Sequence, residues 1–393
     1  MPSPWIVTRR LHASGLVEPR FTTPEAVVGW FGAVQSQDVP GSMWGVGQRL
    51  PVGTTAADLH AALDGGRILR THTMRPTWHY VLPAELPWLL KLTSPRVQQL
   101  CRTYYRRLEL EPATLARAAD VMATAVEGGR HLTKPELIAE VERAGIPTDG
   151  LRSGFLLMYA ELEGVICSGA RRGRTHTYAL LAERVPLSQP LSREEALVQL
   201  ARRYFRSHGP AEPRDFAWWS GLTVSDAKRG LAMLGGDVER VTLDGTDWWW
   251  MPAVDGGPDL LPPPSPTIHL LPNYDEYLVS YRGRDVAFDA SLLDGRTILD
   301  VFYAHVVALD GMLIGGWKRS LGKDEVVVTL DLLVVLSITE RDAVDRAVSG
   351  FGRFLGLPAR VDPERPAARA ARSGPGVTSP RRRPAARGGA PAP

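Results

Sequence analysis

Cysteine is nearly absent from this sequence, which has Cys101 and Cys167 as its two cysteines among 393 residues. Two cysteines form neither a disulfide framework nor a thiolate metal site, and such usage is typical of a reducing cytoplasm. The sequence also lacks an apolar run long enough to cross a bilayer, and its first residues lack the apolar core of a signal peptide. We therefore expect a cytoplasmic protein with no membrane partner.

Sequence signals for cofactors are missing as well. No glycine-rich phosphate loop follows a strand-like segment, and none of the nine His pairs with another at the spacing of helical metal ligands. We therefore expect neither a nucleotide cofactor nor a metal ion.

Positive charge is concentrated at one end of the chain. The formal net charge is +3, but the segment from Asp362 onward carries seven Arg against two acidic residues, so residues 1–361 have a net charge of −2. A nucleic-acid surface must then be a local cluster of basic residues. We expect 362–393 to be a disordered tail, because it has almost no large apolar residues. Its Arg residues are explained as readily by genome composition as by phosphate contacts.

The rest of the sequence predicts several globular units. A chain of this length with 44% hydrophobic and 23% charged residues should form two to four of them. The clearest is 191–261, where Ser192 and Glu195 have capping-box spacing, two further helical patterns follow, and Asp244-Gly245 predicts a hairpin turn. Three helices followed by a two-stranded hairpin predict a winged helix-turn-helix.

Weaker patterns predict two more winged helix-turn-helix units and a C-terminal domain of a different kind. Residues 113–190 again predict three helices and a wing, with Thr133 and Glu136 at capping-box spacing, and residues 1–112 combine helices with a strand pair. After a Pro-rich linker, residues 262–361 alternate strand-like segments, among them EYLVSY, with helix-like ones, among them TILDVFYA. The predicted fold is mainly α with β, with tandem winged helix-turn-helix units before a C-terminal mixed α/β or β-barrel-like domain.

The stretch AVQSQDVP places two Gln around one Ser, directly after an apolar pattern that predicts a helix from Pro24. In an extended backbone, residues two apart point to the same side, so Gln35 and Gln37 could hold one water or one ligand oxygen. They could equally cap the free carbonyls of the helix, and this stretch alone favours capping. The residues that follow, DVPG, are typical of a loop.

A second polar segment, RTHTMRPTWHYV, predicts a β-ribbon that bends at its Pro. Strand alternation places Thr77 and His79 on one face and the aromatic residues on the other. His79 alone is more simply explained as a hydrogen-bonded core histidine. Arg70 and Arg75 are candidates for phosphate contacts, although exposed charges are commonly only solvated.

Two further clusters of charge are candidate contacts. The predicted wing tip ARRGRT carries Arg171, Arg172 and Arg174, which suit a DNA backbone. The stretch HLLPNYDEYLVSYRGR predicts a polar turn between strands, with Arg282 and Arg284 near its end. A turn with an Asx-type hydrogen bond explains its acidic residues somewhat better than a carboxylate near a basic groove.

Together, AVQSQD, TMRPTWHYV, LLPNYDEYLVSYRGR and the tandem winged-helix pattern resemble the bacterial AlkZ-like winged-helix DNA glycosylases. The resemblance extends from the N-terminus to roughly residue 355 and excludes the Arg-rich tail. Its most specific element is the glutamine–any–glutamine motif, here Gln35, Ser36 and Gln37. The family favours an aliphatic residue in the middle, where this chain has Ser, and a related branch has a carboxylate in place of the second amide.

The resemblance implies an enzyme that excises alkylated purines and unhooks interstrand crosslinks. An N7- or N3-alkylated purine is cationic and leaves without protonation, so the enzyme has to place a water and stabilise a positive sugar. The amides of Gln35 and Gln37 can do so by positioning and electrostatics, because an amide is not a general base. A crosslinked base cannot swing out freely, so we expect the ribbon to probe the lesion within the duplex.

We accordingly expect a monomeric, cofactor-free, nucleoid-associated DNA glycosylase whose partner is duplex DNA bearing alkylated purines or crosslinks. Two alternatives remain, a winged-helix transcription regulator, which would be a symmetric dimer, and a noncatalytic binder of damaged DNA. A protein–protein module is a more distant one. The expected DNA contacts are Arg70, Arg75, Thr77, His79, Arg171, Arg172, Arg174, Arg282 and Arg284.

Overall fold

The computed structural model describes residues 3–17, 20–187, 189–252, 264–283, 285–298, 301 and 305–362. Arg284, most of the predicted helix TILDVFYA and the predicted tail beyond Asp362 lie outside these residues. Helices and strands both contribute throughout, which confirms a mixed α and β fold. No helix in the described part of the chain is long and apolar enough to cross a bilayer.

The first region of the chain combines four helices with a three-stranded sheet. The strands pair in the order β1-β3-β2, so that β2 and β3 form the predicted ribbon. The elements are α1 (Pro4–Ala13), α2 (Pro24–Phe31), β1 (Val34–Gln35), α3 (Val39–Gly47), α4 (Ala56–Asp64), β2 (Leu69–Thr73) and β3 (Thr77–Val81).

Two expectations for this region are wrong. The helix from Pro24 ends at Phe31, because Gly32 takes a φ of 84° and its N–H donates back to the Val28 carbonyl. The chain then pairs with β3 as β1, and DVPG opens α3 instead of a loop, since Pro at the first turn of a helix costs no hydrogen bond. The glutamine motif therefore begins at the last residue of a strand and leads into a helix.

The second region contains five helices and another three-stranded sheet of order β4-β6-β5. The predicted capping box of Thr133 and Glu136 is present at the start of α7. The elements are α5 (Leu86–Arg107), α6 (Pro112–Val126), β4 (Leu132–Thr133), α7 (Lys134–Arg143), α8 (Arg152–Leu162), β5 (Ile166–Ser168), β6 (Thr177–Leu180) and α9 (Leu181–Arg184).

The third region follows its prediction closely. Ser192 and Glu195 form the capping box of α10, and the hairpin turns through Asp244 and Gly245, whose φ angles are 49° and 75°. The elements are α10 (Arg193–Ser207), α11 (Pro213–Ser220), α12 (Val224–Leu234), a short 3₁₀ turn (Gly235–Asp237), β7 (Glu239–Leu243) and β8 (Thr246–Trp250).

The C-terminal region is a five-stranded sheet of order β13-β12-β11-β10-β9 with one long helix. The prediction of a strand at EYLVSY is wrong. The segment begins with a short helix, because Asp275 caps it by accepting a hydrogen bond from the Tyr277 N–H. The elements are β9 (Ile268–Leu271), α13 (Glu276–Val279), a 3₁₀ turn (Ala290–Leu293), β10 (His305–Leu309), β11 (Met312–Leu321), β12 (Val326–Leu332), α14 (Ile338–Leu355) and β13 (Ala359–Val361).

Hydrophobic cores join three of these regions around the first sheet. Trp44 of α3 packs on Phe351 and Phe354 of α14, so the first and C-terminal regions share one core. Leu69 and Val81 of the ribbon belong to a second core built mostly from α10, α11 and α12. The boundaries predicted after residues 112, 190 and 261 stay predictions. The shared cores do place β1 and the ribbon where three regions meet.

Candidate active site

The short strand β1 brings Gln35 into direct register with the ribbon. Gln35 lies opposite His79 of β3, and His79 lies opposite Thr71 of β2. Residues directly opposite one another share a face of the sheet, so these three side chains are neighbours. Gln35 is 5% exposed and His79 is 1% exposed, which makes this face an interior one.

Gln35 is held at both its backbone and its side chain. Its backbone N–H donates to Glu276 Oε1 at 2.7 Å, and its side-chain oxygen accepts from Arg75 Nη2. A guanidinium has donors only, so the amide oxygen of Gln35 has to face Arg75 and its NH₂ group has to face away. None of the described contacts of Gln35 reaches a carbonyl of α2. Helix capping therefore does not account for this residue.

The rest of the motif passes from the interior to the surface. Ser36 is fully buried, and its N–H donates to the Trp78 carbonyl at 2.7 Å. Gln37 is exposed and stands just before α3. The two amides thus differ in environment, because Gln35 is enclosed by partners and Gln37 faces solvent.

His79 is a neutral residue with a defined tautomer. Burial, followed by the charge of Arg75, lowers the pKa of His79 to about 3. Its Nδ1–H donates to the Thr77 carbonyl at 3.0 Å, which leaves Nε2 as an acceptor with no partner among the described residues. The prediction of a hydrogen-bonded core histidine holds for Nδ1.

The bend of the ribbon is tied to the third region. Met74 is fully buried and adopts a φ of 58°, a left-handed conformation that is strained for a side chain of this kind. Gly221, after α11, has a φ of 71°, and a Cβ added there would lie 2.0 Å from the Met74 carbonyl oxygen. A glycine is required at this contact, which holds the bend that carries Arg75.

The two ribbon arginines are less exposed than their prediction as phosphate contacts assumed. Burial lowers the pKa of Arg75, and the charge of Glu276 opposes that shift. Arg70 lies 4.5 Å from the centre of the Trp78 ring and donates to the Ser36 carbonyl at 3.1 Å. Both guanidinium groups brace the glutamine motif from inside.

The three wing-tip arginines differ from one another. Arg171 pairs with both carboxylate oxygens of Asp64, and Arg172 pairs with Glu136 at 2.6 Å. Arg174 is exposed and has no carboxylate partner in the described ranges. Of the three, Arg174 is the one free to meet a phosphate without first breaking an ion pair.

The polar turn before α13 has two separate functions. Asp275 accepts from the Tyr277 N–H at 2.9 Å, which is the Asx-type bond expected from the sequence, and it binds Arg49 through both oxygens at 2.9 and 2.7 Å. Glu276 points instead toward Gln35. Arg282, farther along, is exposed and donates its backbone N–H to Asp215.

Glu276 lies in the interior beside Gln35 and is held by three further groups. Its Oε2 lies 2.9 Å from Trp219 Nε1, 2.7 Å from Ser280 Oγ and 3.3 Å from His208 Nε2. Burial raises the pKa of Glu276, but the hydrogen bond from His208 and its electrostatic attraction, followed by the hydrogen bonds from Ser280 and Gln35, outweigh it and hold the pKa at about 2. Sequence reasoning noticed this carboxylate but missed its partners, because they come from distant segments.

Groups that could hold a cofactor are not evident at this site. Among the described residues no cluster of three or more His, Cys, Asp or Glu could bind a metal ion. The arrangement consists of amides, two imidazoles, two guanidinium groups and one carboxylate around a buried strand. Such groups can position water and shape an electric field, but none is a proton donor of suitable pKa at neutral pH.

Comparisons with known proteins agree with this architecture. A family model described as DNA glycosylase AlkZ-like matches residues 28–354. Among solved structures, Streptomyces sahachiroi DNA glycosylase AlkZ is similar, with a TM-score of 0.73, 23% sequence identity and coverage of 92% of this chain and 100% of that one. At this identity the likeness concerns the fold. No curated protein matches the chain.

Proposed function

The chain belongs to the AlkZ-like DNA glycosylase family and is therefore a hydrolase of DNA repair, and from this premise we propose its substrate and mechanism. The substrate is duplex DNA carrying a cationic N-alkylated purine. Gln35 and Gln37 position the water that attacks the sugar. The observation that carries the proposal is the fixation of Gln35 between Arg75 and Glu276 on a buried strand.

The balance of the reaction explains why amides suffice. The bond between the anomeric carbon and the base nitrogen breaks, and its electron pair goes to the base, which loses its positive charge. Water then bonds to the positive sugar and releases one proton to solvent. No proton has to be delivered to the leaving base, so the site needs order and electrostatic complementarity more than an acid.

The protonation states around Gln35 support this restriction to cationic bases. A neutral purine needs a proton on its ring nitrogen to leave readily, and that proton comes from an acid with a pKa near neutrality. His79, with a pKa of about 3, and Glu276, with a pKa of about 2, carry no such proton at pH 7. We infer that undamaged and deaminated bases are not substrates.

The helices and hairpins support a mode of DNA binding. We interpret the three-helix and hairpin arrangements of the second and third regions as winged-helix units that bind the duplex. The chain acts as a monomer. The ribbon then meets the lesion from within the groove. Because this approach does not require the base to rotate out, it is compatible with a base tethered to the opposite strand.

Substrate range tests the proposal. Matched duplexes would contain one N7-methylguanine, one uracil, one hypoxanthine, or one N7–N7 interstrand crosslink. We expect release of N7-methylguanine and unhooking of the crosslink, with no release of the two neutral bases. Release of uracil or hypoxanthine at a comparable rate would show that an acid operates, and tight binding without any release would favour a noncatalytic damage binder.

A further inference from the structure

Glu276 carries a buried charge that lacks a directly bound cation. Glu276 is 2% exposed, and no Lys or Arg nitrogen of the described residues lies within 4.0 Å of its carboxylate. The arginine of the neighbouring turn, Arg49, is bound to Asp275 instead. Burial lowers the pKa of His208, so that neighbour is neutral at pH 7, and Trp219 and Ser280 are neutral donors. The carboxylate is solvated by hydrogen bonds rather than neutralised by an ion pair.

A buried charge of this kind has a stability cost that a neutral side chain would avoid. Removing an ion from water is costly even after the protein relaxes around it. Hydrogen bonds offset part of the cost, but an apolar or amide side chain of similar size would fill the same volume without it. Buried groups with strongly shifted pKa values are concentrated at functional sites. The contacts of the Glu276 carboxylate therefore bear on function.

The charge faces Gln35 and, beyond it, Arg75. The Gln35 N–H donates to Glu276 Oε1, while the Gln35 side-chain oxygen accepts from Arg75. The residues immediately before Arg75 and Asp275, namely Met74 and Tyr274, both hold left-handed φ angles, of 58° and 68°. Strained conformations persist where the surrounding structure fixes them, and here they precede the two segments whose Arg75 and Glu276 contact Gln35.

We propose that Glu276 is a positioning residue for Gln35 and supplies the negative potential that stabilises a positive sugar beside it. The inference rests on the proposed cleavage of the glycosidic bond. A guanidinium next to Gln35 by itself raises the energy of a developing cation. An ionised carboxylate at the Gln35 backbone offsets that effect without touching the substrate, and the Gln35 NH₂ group and the Gln37 amide remain available to hold water.

The affinity of the full-length protein for two lesion analogues tests the role of Glu276. One duplex contains a pyrrolidine abasic analogue, whose protonated ring nitrogen imitates the positive sugar. The other contains the neutral tetrahydrofuran analogue. For wild type we expect the pyrrolidine duplex to bind at least about tenfold more tightly, as a preformed negative potential requires.

The variants separate the charge from the hydrogen-bond network. Glu276→Gln should reduce the preference to about twofold or less while it keeps the affinity for the tetrahydrofuran duplex. Glu276→Asp keeps the charge and should keep the preference. Ser280→Ala removes one donor to Glu276 Oε2 but leaves the carboxylate charged, so this variant should also keep the preference for the pyrrolidine duplex. A Glu276→Gln variant that weakens both duplexes equally, or that retains the full preference, would overturn the proposal.

Folding and catalysis are controlled separately. Thermal unfolding shows whether Glu276→Gln is folded. If Glu276→Gln is unfolded, the affinities of wild type and Glu276→Asp test the proposal. A wild type that binds the pyrrolidine duplex no more tightly than the tetrahydrofuran duplex contradicts it. Normal release of N7-methylguanine by Glu276→Gln would refute the Glu276 inference alone. Wild type that releases nothing would refute the proposed reaction, while the analogue affinities still report on Glu276.

Discussion

The ribbon of β2 and β3 and the hairpin of β5 and β6, our proposed wing, both carry arginines near the bend, yet the environments of these arginines differ. The ribbon bends through a fully buried Met74, and Arg75 contacts Gln35 inside the protein. The wing ends in the exposed Arg172 and Arg174. Charge is half-buried in the first hairpin and presented to solvent in the second.

This difference separates two kinds of effect. An enclosed charge acts strongly on its few neighbours, because the surrounding dielectric is low and its partners cannot rearrange. An exposed charge is screened by salt and contributes mainly to encounter and affinity. Changes in the ribbon should therefore alter the rate of base release, whereas changes in the wing should alter DNA affinity.

Between the two hairpins, the largest effect is expected from Arg75→Met, which keeps the stem of the side chain and removes the donor to Gln35. A catalytic group displaced by about 1 Å can lose roughly 10²-fold in rate, so we expect a loss of that order in single-turnover base release. Enzyme in excess over N7-methylguanine duplex removes the contribution of binding. Arg174→Met is the matched control and should keep the rate. Equal losses in both variants would contradict the distinction between the hairpins.

The next effect is on stability. Gly221→Ala adds a Cβ 2.0 Å from the Met74 carbonyl at a φ of 71°, so the bend of the ribbon has to move. We expect the free energy of unfolding to fall by about 2–4 kcal/mol, measured by urea denaturation. Gly236→Ala is the control, because a Cβ there has nothing within 4 Å. A neutral Gly221→Ala would show that this contact does not hold the bend.

A smaller effect is expected at the wing. Arg174→Ala should weaken duplex binding several-fold and reduce the slope of log affinity against log salt by about 1, as the loss of one phosphate contact does. Arg171→Ala should weaken binding less, because Asp64 already holds that guanidinium. Fluorescence anisotropy over a salt series measures both. The reverse ranking would mean that the ion pair opens on DNA.

The smallest effect on base release is expected from pH. The pKa of His79 falls from 6.5 to about 3 in the folded protein, so the unfolded chain binds a proton that the folded one refuses. Stability should decline as pH falls from about 6.5 toward 3, while the single-turnover rate stays constant between about pH 6 and 8. His79→Gln should make the decline in melting temperature shallower. A bell-shaped rate profile in this range would reveal a titrating acid or base.

Sequence reasoning succeeded where the signals are local. The capping boxes at Thr133 and Ser192 and the turn at Asp244 each depend on residues a few positions apart. It failed at β1 and α13, where pairing with β3 and capping by Asp275 override the hydrophobic pattern.

The candidate site shows the same limit. The glutamine motif and the ribbon were recognisable as short patterns, but their partners were not. Gln35 and Glu276 are 241 residues apart along the chain, and no spacing rule connects them. Trp219 and His208, which complete the surroundings of Glu276, gave no signal beyond the aromatic content of their segment.

The most direct measurement is single-turnover release of N7-methylguanine from a duplex by wild type, Gln35→Ala and Gln37→Ala, with affinity for the same duplex determined in parallel. We expect wild type to release the base and both variants to bind normally while losing about 10²-fold or more in rate, since each amide acts by positioning water. If both variants release the base at the wild-type rate, the glutamines do not position the water, and the account of this site is wrong.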